Sequence, residues 1–125
     1  MPRPGRDVTE TEFAILNVLW DGGSITVREI VESIYGEHTH PLHATVKSLL
    51  ERLADKNYVV CERRGVAHRF SATVNRETFV AQQLQQLADS NFGGSLAPVL
   101  LTLVENVKLS RRDREAIRRI VEKMD

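Results

Sequence analysis

Between Leu42 and Asp55 the chain sets His43, Thr45, Lys47, Ser48, Glu51 and Arg52 among Val46, Leu49, Leu50 and Leu53. The apolar set recurs at i, i+3, i+4 and i+7, so these residues are predicted to form one face of a helix and the polar set the other. Thr45 and Ser48, three residues apart, are short hydroxyl side chains that can exchange hydrogen bonds with base edges. Lys47 and Arg52 supply contacts to phosphate or guanine. His43 can touch a phosphate. Downstream, Arg63, Arg64 and Arg69 surround a turn at Gly65, where they can straddle a flanking backbone or enter a minor groove.

The formal net charge of zero gives this chemistry no support, but its distribution does. Residues 1–40 hold three basic residues against seven acids, residues 41–69 six against three, and residues 70–125 eight against seven. The basic excess is thus confined to the segment with the polar helix face and the arginine turn. A local excess of this kind can serve as a phosphate footprint on a neutral protein.

A polar helix face reads DNA only if other elements hold it out from the body. Thr9 and Glu12 have capping-box spacing ahead of Phe13, Leu16, Leu19 and Trp20, and Asp21-Gly22-Gly23 stops this first helix. Thr26 and Glu29 repeat the box ahead of Val27, Ile30, Val31 and Ile34, with Gly36 as the terminating residue. The polar run Glu37 to Pro41 reads as the turn into the third helix. Tyr58–Cys61 and Ala67–Ser71 then read as a two-stranded hairpin around Arg63-Arg64-Gly65. Asn75 is placed to cap a fourth helix carrying Phe79, Val80, Leu84 and Leu87, interrupted at Asn91-Phe92-Gly93-Gly94. Pro98 opens a fifth helix, and Ser110 with Asp113 a sixth. The expected fold is mainly α with a small β-hairpin. A winged helix-turn-helix DNA-binding domain occupies residues 1–74, and a helical region follows at 75–125.

Other chemistries find little footing. Cys61 is the single cysteine, so no internal disulfide and no CxxC site exist; it reads as a small hydrophobe on a strand. His38, His40 and His43 follow no closed zinc spacing and read as turn residues, so no metal and no cofactor are expected. No glycine-rich phosphate loop or nucleophile elbow is present, and the chain is not expected to be an enzyme. With no apolar run of membrane-spanning length and no signal-peptide core, it reads as a cytoplasmic protein without membrane partners. A winged helix that binds only protein, through its C-terminal helices, is the alternative from another class.

The run Thr9 to Trp20 resembles the opening helix of the penicillinase-repressor family of regulators (the BlaI/MecI/CopY type). Thr26 to Ile30 is similar to its second helix, and Thr45 to Leu53 keeps the pattern T-V-x-S/T-L-x-x-R-L of its recognition helix. Lys56 to Val59 and Arg64 to Phe70 resemble its wing, and Phe92 to Ser95 with Leu109-Ser110 extend the likeness to the last helix. The resemblance implies a transcriptional repressor that binds an inverted-repeat operator as a homodimer, with β-lactam-resistance or stress-response genes as targets. It places the dimer in the C-terminal helices, where Phe92, Leu96, Leu100, Leu103, Val104, Ile117, Ile120 and Val121 supply the apolar contacts. It also implies a regulatory protease as partner. Thr102-Leu103 stands where penicillin-responsive members carry the cleaved Asn-Phe bond, and Asn91-Phe92 lies upstream of that place. No cysteine follows Cys61, so the C-terminal thiolate cluster of copper-responsive members is missing.

Overall fold

Thr9 and Glu12 open the first helix by satisfying each other's backbone. The Glu12 amide donates to the Thr9 hydroxyl at 3.2 Å, and the Thr9 amide donates to the Glu12 carboxylate at 3.0 Å. The resulting helix α1 spans Glu10–Gly22. Thr26 and Glu29 repeat the arrangement at the start of α2 (Val27–Tyr35). Gly36 closes α2 at φ 76°, a left-handed geometry that a residue without Cβ adopts at little cost. These features belong to a computed structural model, which describes residues 8–124 apart from the side chain of Arg64.

Helix α3 spans His40–Asp55 and so begins earlier than Leu42. Thr39 is its N-cap, accepting the Leu42 amide at 3.3 Å. Pro41, expected in the turn, lies in the first helical turn, where its missing N–H leaves no hydrogen bond unmade. Asn57, at φ 67°, reverses the chain after α3, and its carbonyl accepts the Thr73 hydroxyl at 2.6 Å.

Strands β2 (Val59–Arg64) and β3 (Ala67–Ala72) form the wing, paired antiparallel from Val59 opposite Ala72 to Arg64 opposite Ala67. Gly65 and Val66 make the two-residue turn, with Gly65 at φ 64° as tight hairpins of this length demand at their first position. The sheet has a third strand that the sequence reading lacked. Ile25–Thr26 forms β1, pairing with β3 through Ile25 opposite Phe70 and Thr26 opposite Arg69. Two residues are too few for strand alternation to register in a sequence.

The core joins α1, α2, α3 and the wing. Ile15, Leu16, Leu19, Ile30, Val31, Val46, Leu50 and Leu53 are all buried, with Val59 and Phe70 closing it from the sheet. Helix α4 (Arg76–Asn91) adds Phe79, fully buried against Phe13, Trp20 and Tyr58 at ring-centroid distances of 5.6, 5.5 and 5.0 Å. The Trp20 indole N–H donates to the Val74 carbonyl at 2.8 Å, so this aromatic cluster is also satisfied as a donor. Three helices with a sheet-borne wing constitute a winged helix-turn-helix fold.

Close packing groups residues up to Ala81 in one unit and those from Gln82 onward in a second. The second contains the end of α4, then α5 (Ala97–Asn106) and α6 (Arg111–Glu122). Ser110 caps α6 by accepting the Asp113 amide at 3.0 Å. Neither α5 nor α6 buries any of its residues. Among the described residues no helix is long and apolar enough to cross a membrane.

Candidate nucleic-acid interface

Helix α3 divides along its length. Val46, Leu50 and Leu53 enter the core, while Thr45, Lys47, Ser48, Glu51 and Arg52 are exposed and Leu49 is half-buried. The side chains of Lys47, Ser48 and Arg52 make no hydrogen bond or ion pair among the described residues. Thr45 differs, because its hydroxyl donates to the Pro41 carbonyl at 3.0 Å. It therefore meets an approaching group with lone pairs and a methyl, while Ser48 keeps its proton to offer.

The base of this helix is fixed by charge. The Lys56 ammonium, just past α3, lies 3.2 Å from the carboxylate of Glu12, which is fully buried in α1. Burial pushes the Glu12 carboxyl up, but the Thr9 amide and the Lys56 ammonium outweigh it and leave it below its ordinary value. At the other end of α3, the His38 and His43 rings meet edge to face, with Nε2 of His38 2.9 Å from Nδ1 of His43.

The wing arginines separate into different situations. Arg63 is exposed and stands opposite His68 across the hairpin. Arg64 ends β2, and its side chain lies outside the described residues. Arg69 is held at the base of the wing, where its guanidinium donates to the Ser24 carbonyl at 3.0 Å and sits 3.9 Å from Glu29. The Thr26 amide and hydroxyl, with a smaller contribution from Arg69, hold the Glu29 carboxyl below its ordinary value. Cys61, read as a small hydrophobe, is exposed on β2.

A cavity of about 290 Å³ opens between the first turn of α2, the start of α3 and the wing. Arg28, His43, Lys47 and His68 line it with positive or titratable groups, and Val27, Val66 and Phe70 with apolar ones. The fold thus gathers His43 and Lys47 beside the wing and strings Thr45, Ser48 and Arg52 along α3. Arg28, His68 and Val66 belong to the same surface and were missed in the sequence. Arg28 sits in the acid-rich first segment, and the wing's partners are not implied by spacing. Val66 is fully exposed at the wing tip. Among the described residues no group of three or more His, Cys, Asp and Glu is poised to hold a metal ion.

In the second unit Leu96, Leu100, Leu103, Val104, Ile120 and Val121 are exposed, and Phe92 and Ile117 are half-buried. Leu84, Leu87, Leu101, Val107 and Met124 are exposed as well and were not among the expected interface residues. By spacing, Leu84 and Leu87 belong to the apolar stripe of the fourth helix. Thr102-Leu103 lies inside α5, where the Thr102 hydroxyl donates to the Pro98 carbonyl at 2.7 Å, whereas Asn91-Phe92 lies at the end of α4.

The sequence model of the penicillinase repressor family matches residues 8–123. The chain is 30% identical to the transcriptional regulator BlaI of Mycobacterium tuberculosis over 118 residues, covering 93% of this chain and 83% of the relative. It is 19% identical to the penicillinase repressor of Staphylococcus aureus, covering 92% of this chain and 90% of that protein. The penicillinase repressor of Bacillus licheniformis is likewise 19% identical, with coverage of 92% and 89%.

Proposed function

The chain belongs to the penicillinase repressor family of transcriptional regulators, and on that premise we propose that it represses transcription by binding an inverted-repeat operator as a homodimer. The observation that carries the reading is the exposed row Thr45, Ser48 and Arg52 on α3, with Lys47 turned toward the wing cavity. Apolar residues of that helix are buried, so its polar face is presented by a braced scaffold. In this reading α3 enters the major groove, Thr45 and Ser48 read base edges, and Lys47, Arg52 and His43 hold phosphates. The wing, with Arg63, Arg64 and Arg69 at its strands, lies along the flanking backbone.

The exposed apolar residues of α5 and α6 support a second copy of the chain as partner. Helices that bury none of their own residues while exposing six or more large aliphatic side chains need a partner surface. A two-fold dimer places two recognition helices on successive major-groove faces, about 34 Å apart. Candidate targets are β-lactam-resistance or stress-response genes. The relatives' names support the first, since two are called penicillinase repressors.

The test is a salt titration of binding to the promoter DNA beside the chain's own gene, against a scrambled duplex of equal length. The reading expects affinity that falls steeply with salt and a retained preference for the promoter sequence. Equal binding to both duplexes would remove sequence-specific repression. No binding to either would favour a protein-interaction role for the winged helix.

A further inference from the structure

The contact between His38 and His43 sits where α2 hands over to α3. The nitrogens are 2.9 Å apart and the ring planes stand at 88°, with both rings half-buried. Between two imidazole nitrogens there is room for one proton and not for two. The contact engages Nδ1 of His43, and Nε2 of that ring has no partner among the described residues.

We propose that His38 is a positioning residue for His43, holding its ring so that Nε2–H meets a DNA phosphate, and that the pair takes up one proton when DNA binds. The proposal rests on the DNA-binding reading above. Proton by proton, the arrangement is self-consistent. With His43 protonated, Nδ1–H donates to the lone pair on His38 Nε2 and Nε2–H is left to donate to phosphate. A second proton, on His38 Nε2, would set two N–H groups against each other.

Basic and titratable groups face the pair from each element packed on it, with Arg28 itself paired to Glu32 at 3.4 Å. Arg28 comes from α2, His38 from the turn, His40 and Lys47 from α3, and His68 of the wing lines the same cavity. Partial burial, reinforced by His38, Lys47, His40 and Arg28, holds His43 below its ordinary value of 6.5. The free protein therefore carries it neutral near pH 7. A phosphate offsets the positive charge of Lys47 and Arg28 and accepts Nε2–H, so the value rises in the complex. The affinity gained is fully present below the free value and is lost as pH rises through the bound one.

Two measurements test this. The dissociation constant of the full chain for its promoter duplex, at constant ionic strength from about pH 5.5 to 8, is expected to rise with pH. One proton limits the slope to about tenfold per pH unit. His43→Gln should flatten the profile, and His38→Gln should displace it along the pH axis. The imidazole Cε1–H signals of the free protein supply the second readout, in which His38→Gln must shift the titration of His43. A flat wild-type profile with tight binding, or a His43 titration indifferent to His38→Gln, overturns the inference and leaves the repressor reading standing. No duplex binding at any pH overturns both.

Discussion

The Lys56 ammonium reaches back to the buried Glu12 carboxylate at 3.2 Å, joining the C-terminal end of α3 to the N-terminal cap of α1. Glu12 also accepts the Thr9 amide, so one carboxylate serves a helix start and a cation at once. Glu12→Gln keeps the shape and removes the charge, and should lower unfolding free energy in urea by about 1–3 kcal/mol. The Glu12 carboxyl lies below its ordinary value of 4.5 in the fold, so its contribution is complete above that value and lost as pH falls through the folded one. Wild-type stability should accordingly drop in acid below about pH 4.5, and the Glu12→Gln protein should show less of that drop.

Ser48→Ala removes an exposed donor that no group in the described chain occupies. Discrimination between promoter and scrambled duplex should fall by about 1 kcal/mol, with little change in melting temperature. Thr45→Val tests the companion position, since it retains a methyl and loses the hydroxyl already directed at Pro41. If Ser48→Ala weakened both duplexes alike, the residue would be a backbone contact.

Arg63 and Arg69 are predicted to part company. Arg63→Ala should weaken binding to any duplex about equally and reduce the salt slope by about 1. Arg69→Ala removes the bond to Ser24 and the neighbour of Glu29, so its main effect should be on the melt. Its size stays below about 1 kcal/mol because the side chain is substantially exposed. A larger DNA effect from Arg69 than from Arg63 would reverse these roles.

Leu100→Asp and Val121→Asp each place a charge on a helix surface whose apolar side chains are exposed. Both should convert a dimer to monomer in sedimentation velocity while leaving the far-ultraviolet helix signal in place. A dimer that persists in both variants would move the contact elsewhere in the chain.

Much of this is legible in the amino-acid sequence. The capping boxes at Thr9 and Thr26 and the apolar rows of the first three helices are local signals, and local hydrogen bonding realises them. The polar row of α3 followed from periodicity alone. What escaped depends on residues distant in sequence. Strand β1 exists because Ile25 finds Phe70 across the sheet, and Arg69 is committed because Ser24 lies under it. The same holds for Phe79, a residue of the fourth helix's stripe whose burial is created by Phe13, Trp20 and Tyr58. Pro41 misled for a simpler reason, since a proline ends one helix and opens another equally well.

Strand β1 ends on Thr26, and Thr26 is the residue that caps α2. No spacer separates sheet from helix, so β1 and α2 meet within a single peptide. In mechanical terms that joint has no slack. A force applied at the Gly65-Val66 tip travels down β3 to the pairing of Arg69 with Thr26, and arrives at the first turn of α2 as torque. Lengthening the segment between Thr26 and Val27 by one glycine would insert a compliant element there, leaving the packing of Val59 and Phe70 to carry what the wing passes to the helices.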